Sequence, residues 1–536
     1  MARLTLGGKI LISVIAIGLI GFGAYKGGLI NKALNVLAPP KKQSGEISKE
    51  DFKNQSSNDI STKEQGSIDT SKGDSNKVLK VGIVTWGGYA GGIVANNGFK
   101  PNEDSIFYKK YNQKVELVVI DDFDASRKAF ASGSEKGGID IVWSTVDAYA
   151  LEYPQMEKQG LNPKAIMQYD WSRGGDAIAV TKNINTIEDL RGKKIAVAKA
   201  TPSHYFGLWV LSQGGVKNSE VNWIFTGSAP ESANLFKAGK VDAAVSWSPD
   251  VYMAAESRGK ILISTKEATN LIADIFVARG DFLENNPKAV INFLRGWFDG
   301  VKEAKANPQK AIRLMSENFQ GIGLSDAEGM WKDVYLPDYA DNYRFFGLDN
   351  KENPTGFHTI FKTASLIWKK VGESNTIGDV NNAVDTRFLK SLEQYYSDEL
   401  KKPVKKTTFK PINTIQTKKK PVISKKVTVY FQTGSASLDE NSKYVIDNEV
   451  AQLASTFSDA YIRISGNTDN VGDRTSNIDL SKKRASAVAS YLINKYKFDR
   501  NKFQIIGNGP DKPIASNNTE EGRAKNRRTD FEVITK

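Results

Sequence analysis

The chain has 536 residues, room for about three to five domains at roughly 100–200 residues each, and its 40% hydrophobic and 25% charged composition lets most of it bury a core. It contains no cysteine and only two histidines, His204 and His358, which excludes disulfides, thiolate metal sites, cysteine nucleophiles and a lipidated N-terminal cysteine, and argues against a histidine metal site or a Ser-His-Asp triad. The net charge of +13 is local, since residues 399–426 carry ten lysines against Glu399 alone. The basicity belongs to a proline-punctuated stretch, not a folded groove, so no nucleic-acid partner is expected.

Residues 10–25, ILISVIAIGLIGFGAY, are uncharged and follow a head bearing Arg3 and Lys9. Sixteen residues make ~24 Å of helix, short of the ~30 Å hydrocarbon core. Running on to Ile30, with Lys9 and Lys26 snorkelling, makes 10–30 a transmembrane signal anchor behind a cytoplasmic head at 1–9. A cleavable signal peptide competes, because Gly21-Phe22-Gly23 offers small residues at cleavage spacing. Either way the chain enters the export pathway. In the anchor reading it is a single-pass protein of the cytoplasmic membrane with its bulk on the periplasmic side. The absence of Asp and Glu from this stretch counts against an ion-carrying stator role. Residues 31–78 read as a disordered linker, with seven lysines balanced by seven acids from Pro39 onward and few large apolar residues.

Between residues 79 and 398 short β-rich runs alternate with helical stretches. The pattern predicts strands at 79–85, 115–120, 139–143, 177–181, 194–198, 221–226 and 243–247, the alternation of a parallel α/β architecture. Ligands in such sheets sit beyond the carboxyl ends of the strands. Four of those ends carry Trp86 and Tyr89, Thr145 and Asp147, Ser203 and His204, and Trp247 and Asp250. Aromatic, hydroxyl and carboxylate groups at four equivalent positions point to a small-molecule cleft. Trp143, Trp209 and Trp223 read as packing residues, and His358 has no partner signal.

The runs Asp176-Ala-Ile-Ala-Val-Thr, Ile187-Glu-Asp-Leu-Arg-Gly-Lys-Lys-Ile-Ala-Val and Ala238-Gly-Lys-Val-Asp-Ala-Ala-Val-Ser-Trp-Ser-Pro resemble ABC-transporter substrate-binding proteins of the sulfonate, taurine and nitrate type, over about residues 79–319. The resemblance implies a two-lobed, type II periplasmic-binding-protein-like domain closing over a ligand, with crossings near 171–176 and 273–276, and puts the eight strand-end residues on its cleft. Ala200-Thr201-Pro202-Ser203 stands where a richer anion loop is common, and none of the four loops holds Arg or Lys. Two ligand classes stay open. Helix N-termini with Ser and Thr suit a small oxyanion, while Trp and Tyr with Asp147 or Asp250 suit an amine. A degenerate cleft that binds only protein is a further alternative.

Residues 399–426, with three prolines, read as a Lys/Pro-rich linker whose lysines are solvated or lie on anionic lipid or wall polymer. Residues 427–536 then predict strands at 427–431, 461–466, 503–507 and 528–534 with helices at 440–455 and 477–495, one α/β domain. Gly466-Asn-Thr-Asp-Asn-Val-Gly472, Asn477-Ile-Asp-Leu-Ser-Lys-Lys-Arg-Ala485, Gly507-Asn-Gly and Asn517-Asn-Thr-Glu-Glu-Gly-Arg-Ala-Lys-Asn-Arg-Arg528 closely resemble the OmpA-like peptidoglycan-binding domain, an α/β sandwich. The resemblance implies that Asp469 and Arg484 hold diaminopimelate of the wall peptide, with Thr468 and Asn477 supporting the loop and Arg527 reaching a carboxylate. A zwitterion needs such a pairing of one acid and one guanidinium. Asn467 replaces the usual His of that motif, a change expected to affect loop packing more than ligand charge. A purely structural Asp469–Arg484 salt bridge is the competing reading.

Together these readings describe a non-enzymatic α/β envelope protein with no cofactor and no metal, since no nucleophile–base pair can be found. Its expected partners are peptidoglycan, the cytoplasmic membrane, a small amine or oxyanion, and a membrane protein. A ligand sensor, an ABC-transport component and a mechanical scaffold are the three roles this order of modules allows.

Overall fold

The computed structural model describes residues 67–73, 77–404, 407–411, 420–432 and 434–535. The expected head, anchor and most of the first linker, residues 1–66, lie outside them. Among the described residues no helix is long and apolar enough to cross a membrane.

Aliphatic runs set the strands. The chain lays down β1 (Leu79–Ile83), β2 (Val115–Val119), β3 (Ile141–Thr145) and β4 (Lys164–Ser172). It crosses at 173–175 into a second lobe of β5 (Asp176–Thr181), β6 (Lys194–Ala198), β7 (Asn222–Thr226), β8 (Ala243–Trp247) and β9 (Gly259–Ser264). It returns through 265–272 to β10 (Ala273–Ala278), antiparallel between β3 and β4, and adds β11 (Val334–Tyr335). The sheets run β11-β4-β10-β3-β1-β2 and β7-β6-β8-β5-β9. In each lobe the βα units are parallel, and the strand arriving from the other lobe is antiparallel to them.

The first crossing is tight. Gly174 has φ +144°, and a Cβ there would lie 2.5 Å from Asp333 Oδ1, so this link needs glycine. The second crossing lies just ahead of the expected 273–276, because Ala273 already pairs with Trp171 in the first sheet.

In the C-terminal domain β12 (Ile423–Val427), β13 (Tyr461–Asn467), β14 (Phe503–Gly509) and β15 (Thr529–Ile534) form a sheet of order β12-β15-β13-β14. The helix Arg474–Tyr496 covers it with Ser481, Ala485, Val488 and Leu492. It comes so close that a Cβ on Gly466 would lie 2.1 Å from the Ser481 carbonyl oxygen. The first strand begins four residues earlier than expected, inside the stretch assigned to the basic linker. Ile423 and Val427 are buried while Ser424, Lys425 and Lys426 lie between them, the composition of a protected sheet edge. Those lysines are not merely solvated: Lys425 reaches Glu449 at 2.7 Å and Lys426 reaches Glu188 at 3.6 Å.

This domain packs on both lobes and on the link between them. Trp209 of the second lobe lies 5.9 Å from Phe457, ring to ring. Ile187 N–H donates to the Val422 carbonyl, and Lys495 pairs with Glu352 at 2.8 Å. On the return link 265–272, Asn270 N–H donates to Thr456 O at 3.3 Å, its side-chain amide donates to Ser455 O at 3.1 Å, and the Thr269 hydroxyl meets Ser458 Oγ at 2.7 Å. Arg173, on the other link, donates to Asn270 Oδ1 at 3.1 Å and to Thr269 O at 3.3 Å. Both hinge strands are thus tied into one hydrogen-bonded patch under the C-terminal domain.

Candidate functional site

Between the lobes lies a cleft of about 340 Å3, at the small end of the range for small-molecule sites, roughly 300–1,000 Å3. Of the eight strand-end residues, Trp86, Tyr89, Thr145, Trp247 and Asp250 line it. The Tyr89 ring is fully buried, and its hydroxyl accepts from Tyr169 Oη at 2.9 Å. Trp86 is fixed by Nε1 donating to the buried Asp170 carboxylate at 2.8 Å.

The structure does not bring Asp147, Ser203 or His204 to the cleft wall. Thr145 accepts from Ala148 N–H and caps the helix Val146–Lys158, so the chain turns inward and Asp147 becomes fully buried. Ser203 donates to Asp176 Oδ1 behind the wall. His204 Nδ1 accepts from Ala200 N–H at 3.2 Å, and its ring sits edge-on among Trp223, Phe225 and Trp368.

Phe123, Trp143, Asp176 and Asp274 are among the further side chains on the wall. The two carboxylates open the strands that arrive from the opposite lobe, and register carries them to the cleft. Asp176 pairs across from Trp247, and Asp274 from Thr145. Phe123 stacks on Trp247 at 6.2 Å and meets Trp143 edge-on at 4.9 Å, an aromatic run bridging the lobes. Trp143, read at its strand end as a packing residue, is buried under Phe123 and the Arg127 guanidinium and also borders the cleft.

Burial dominates the electrostatics. It pushes Asp176 up to about 6, against a Ser203 hydrogen bond that pulls the other way. It raises Asp274 well above the usual carboxylate range, with Asp170, Asp176 and Asp147 adding to the rise. Asp147 is pushed up to about 8, and neither of its oxygens completes a hydrogen bond among the described residues. A group that titrates near 8 in the folded chain and near 3.8 ordinarily binds more protons folded than unfolded, so its contribution to stability is full below pH 4 and is lost as pH rises to 8. Asp147→Asn removes that loss. The variant is expected to match the wild type at pH 4 and to gain about 2–5 kcal/mol by pH 8.5. Melting curves across this window check it, and a difference that does not widen with pH refutes it.

The second group lies at the β13 end of the C-terminal domain. Asp469 accepts from Val471 N–H at 3.1 Å and from Arg527 Nη1 at 2.7 Å, and Arg527 also holds Glu520 at 2.7 Å. Arg484 is bonded elsewhere: Nε donates to Ser435 O at 3.0 Å, Nη2 donates to Gln432 O at 3.1 Å, and the guanidinium lies 5.0 Å from the Phe431 ring centre. Burial lowers its pKa, and the Asp469 charge opposes that shift. The structural Asp469–Arg484 bridge is therefore not formed, and Arg527 takes the partner role. Arg484 and Arg527 line a small cavity of about 100 Å3 with Phe431 and Asn467. Thr468 donates to Asp469 O at 2.8 Å, and Asn477 donates to Val471 O at 2.9 Å, so both brace the loop. Asn467 is buried and donates to Asp530 Oδ2 at 2.9 Å.

Residues 430–527 match the family model described as OmpA family, and residues 155–311 match the one described as NMT1/THI5 like. The peptidoglycan-binding protein ArfA of Mycobacterium bovis is 44% identical over 90 residues, 17% of this chain and 27% of that protein. The chain thus spans about a quarter of ArfA's own length. The taurine-binding periplasmic protein of Escherichia coli is 29% identical over 224 residues, 40% of this chain and 67% of that protein. Among solved structures, the periplasmic nitrate-binding protein NrtA from Synechocystis PCC 6803 aligns with a TM-score of 0.47 at 16% identity, covering 61% of this chain and 91% of that one. The chain joins an NMT1/THI5-like module of the solute-binding-protein type to a C-terminal domain of the OmpA family.

Proposed function

We propose that this is a membrane-anchored protein of the cell envelope that grips diaminopimelate of peptidoglycan through Asp469 and Arg484, holds a small solute between its lobes, and acts as a wall-tethered ligand sensor. The observation that carries the sensor role is the docking of the OmpA-family domain on the hinge, where Asn270 and Thr269 bond its residues 455–458. Closure of the lobes turns on the links 173–175 and 265–272, so a ligand that closes the cleft shifts the patch to which the wall-binding domain is tied. The match of Asp469, Arg484 and their loops to the OmpA family, and the name of ArfA, support the wall ligand. Delivery of the solute to an ABC permease is the second reading, favoured by the taurine-binding relative.

The test uses the full chain in a Gram-negative host. The chain is expected to fractionate with the cytoplasmic membrane, to carry an active periplasm-dependent reporter at its C-terminus, and to sediment with purified sacculi. A cytoplasmic reporter, or a chain that stays in the supernatant with sacculi present, overturns the proposal. Loss of sensing in a host without any partner permease favours delivery over sensing.

A further inference from the structure

The two ligand chemistries that the strand-end loops suggested make opposite demands on the cleft, and its charges choose between them. Asp121, Asp176, Asp250 and Asp274 line it, and no Lys, Arg or His is among the lining residues. Two of the helix N-termini at the cleft already face carboxylates of this chain. Asp176 takes the Ser203 hydroxyl in the first turn of the helix Pro202–Gln213, and Asp250 opens the helix Asp250–Arg258. At the first of these, proline also removes one of the free N–H groups. An anion would meet these carboxylates in a site of low dielectric.

One of them is only half satisfied, with Oδ1 accepting from Tyr169 Oη at 3.4 Å and Oδ2 left open. Asp274 is only 6% exposed, lines the cleft, and its Oδ2 has no hydrogen-bond partner among the described residues. A buried carboxylate oxygen left in that state is costly unless something docks on it. Trp86, Phe123, Trp143 and Trp247 line the same cleft, aromatic rings of the kind that attract cations, and the Trp143 ring already holds the Arg127 guanidinium at 4.9 Å.

We propose that the cleft selects a small organic cation, its ammonium or amidinium head seated between Asp274 and Asp176 and its apolar flank against Phe123, Trp143 and Trp247. This rests on the solute-binding reading and narrows it to one class. Desolvation has already raised both carboxyls, and a cation between them reverses that shift by favouring their charged forms.

Calorimetry and thermal shift on the full chain test it with choline, putrescine and agmatine on one side, methanesulfonate and nitrate on the other, and taurine as a probe carrying both signs. At least one cation is expected to bind and the two anions to stay silent. Asp274→Asn and Asp176→Asn are each expected to weaken the cation at least tenfold. Both are near-isosteric and remove a carboxyl whose charged form burial disfavours, so the melting temperature without ligand should not fall, which separates lost binding from lost fold. Taurine bound by the wild type and lost in Asp274→Asn supports an ammonium on that carboxylate; taurine retained counts against it. Saturable binding of methanesulfonate or nitrate with no cation bound overturns the cation class and leaves the solute-binding reading standing. Silence toward the whole panel, with the same melting temperature in every mixture, overturns both.

Discussion

Arg484→Ala in the full chain is expected to abolish retention on sacculi while the protein stays folded. The side chain's present bonds are to two loop carbonyls, Ser435 O and Gln432 O, and their loss costs stability on the order of 1–3 kcal/mol. No buried ion pair is broken, because Asp469 is held by Arg527 and the Val471 amide. The binding effect is larger. A guanidinium facing a wall-peptide carboxylate in a partly desolvated pocket is worth about 2–4 kcal/mol, roughly 30- to 1,000-fold in affinity. Asp469→Asn should weaken retention to a similar degree by removing the partner of the ammonium, and it leaves Arg527 with Glu520. Co-sedimentation titrations, read beside far-UV circular dichroism, check both. Retention within threefold of wild type in either folded variant rules out that residue as a wall ligand.

What the sequence made legible follows from where polar groups sit on strands. Trp86, Thr145, Trp247 and Asp250 were readable because parallel strands deliver their carboxyl-end loops to one edge. Asp176 and Asp274 escaped that rule. They open antiparallel strands that enter from the other lobe, so it is their amino ends that face the cleft. The available signal was a lone carboxylate in an apolar setting, heading Asp176-Ala-Ile-Ala-Val and interrupting Leu271-Ile-Ala-Asp-Ile-Phe-Val-Ala. β4 was missed for a related reason: Gln168 and Asp170 interrupt its apolar pattern, yet both are buried, Asp170 under bonds from Trp86 and Tyr335. Ser203 and Asp147 lie within two residues of the wall in sequence, but a first helical turn rotates them behind it. In β12 the lysines outweighed Ile423 and Val427 in composition, and only pairing with β15 reveals the strand. The OmpA-family motifs needed no such help to place the domain, because they are read by residue identity, though Arg527 as the partner of Asp469 required geometry.

The docked arrangement of the C-terminal domain has its own energetic test in Trp209. This ring is fully buried in the helix Pro202–Gln213 and faces Phe457, so it serves the second lobe and the domain interface at once. The rest of the interface is weaker per contact. Neutral hydrogen bonds such as those of Asn270 net about 0.5–1.5 kcal/mol each, and the partly exposed pair of Lys426 with Glu188 is worth about 0–1 kcal/mol. Trp209→Ala is expected to cost about 3–5 kcal/mol, more than these polar contacts singly. The lobes and the OmpA-family domain keep separate sheets, so losing their shared aromatic contact should uncouple them before either unfolds. Differential scanning calorimetry is expected to show one joint transition in the wild type and two in Trp209→Ala, whereas Asn270→Ala should lower the joint transition without splitting it. A single, unshifted transition in Trp209→Ala would mean that the ring does not hold the domains together, and the hinge contacts at Thr269 and Asn270 would then lack the anchor that lets them transmit closure.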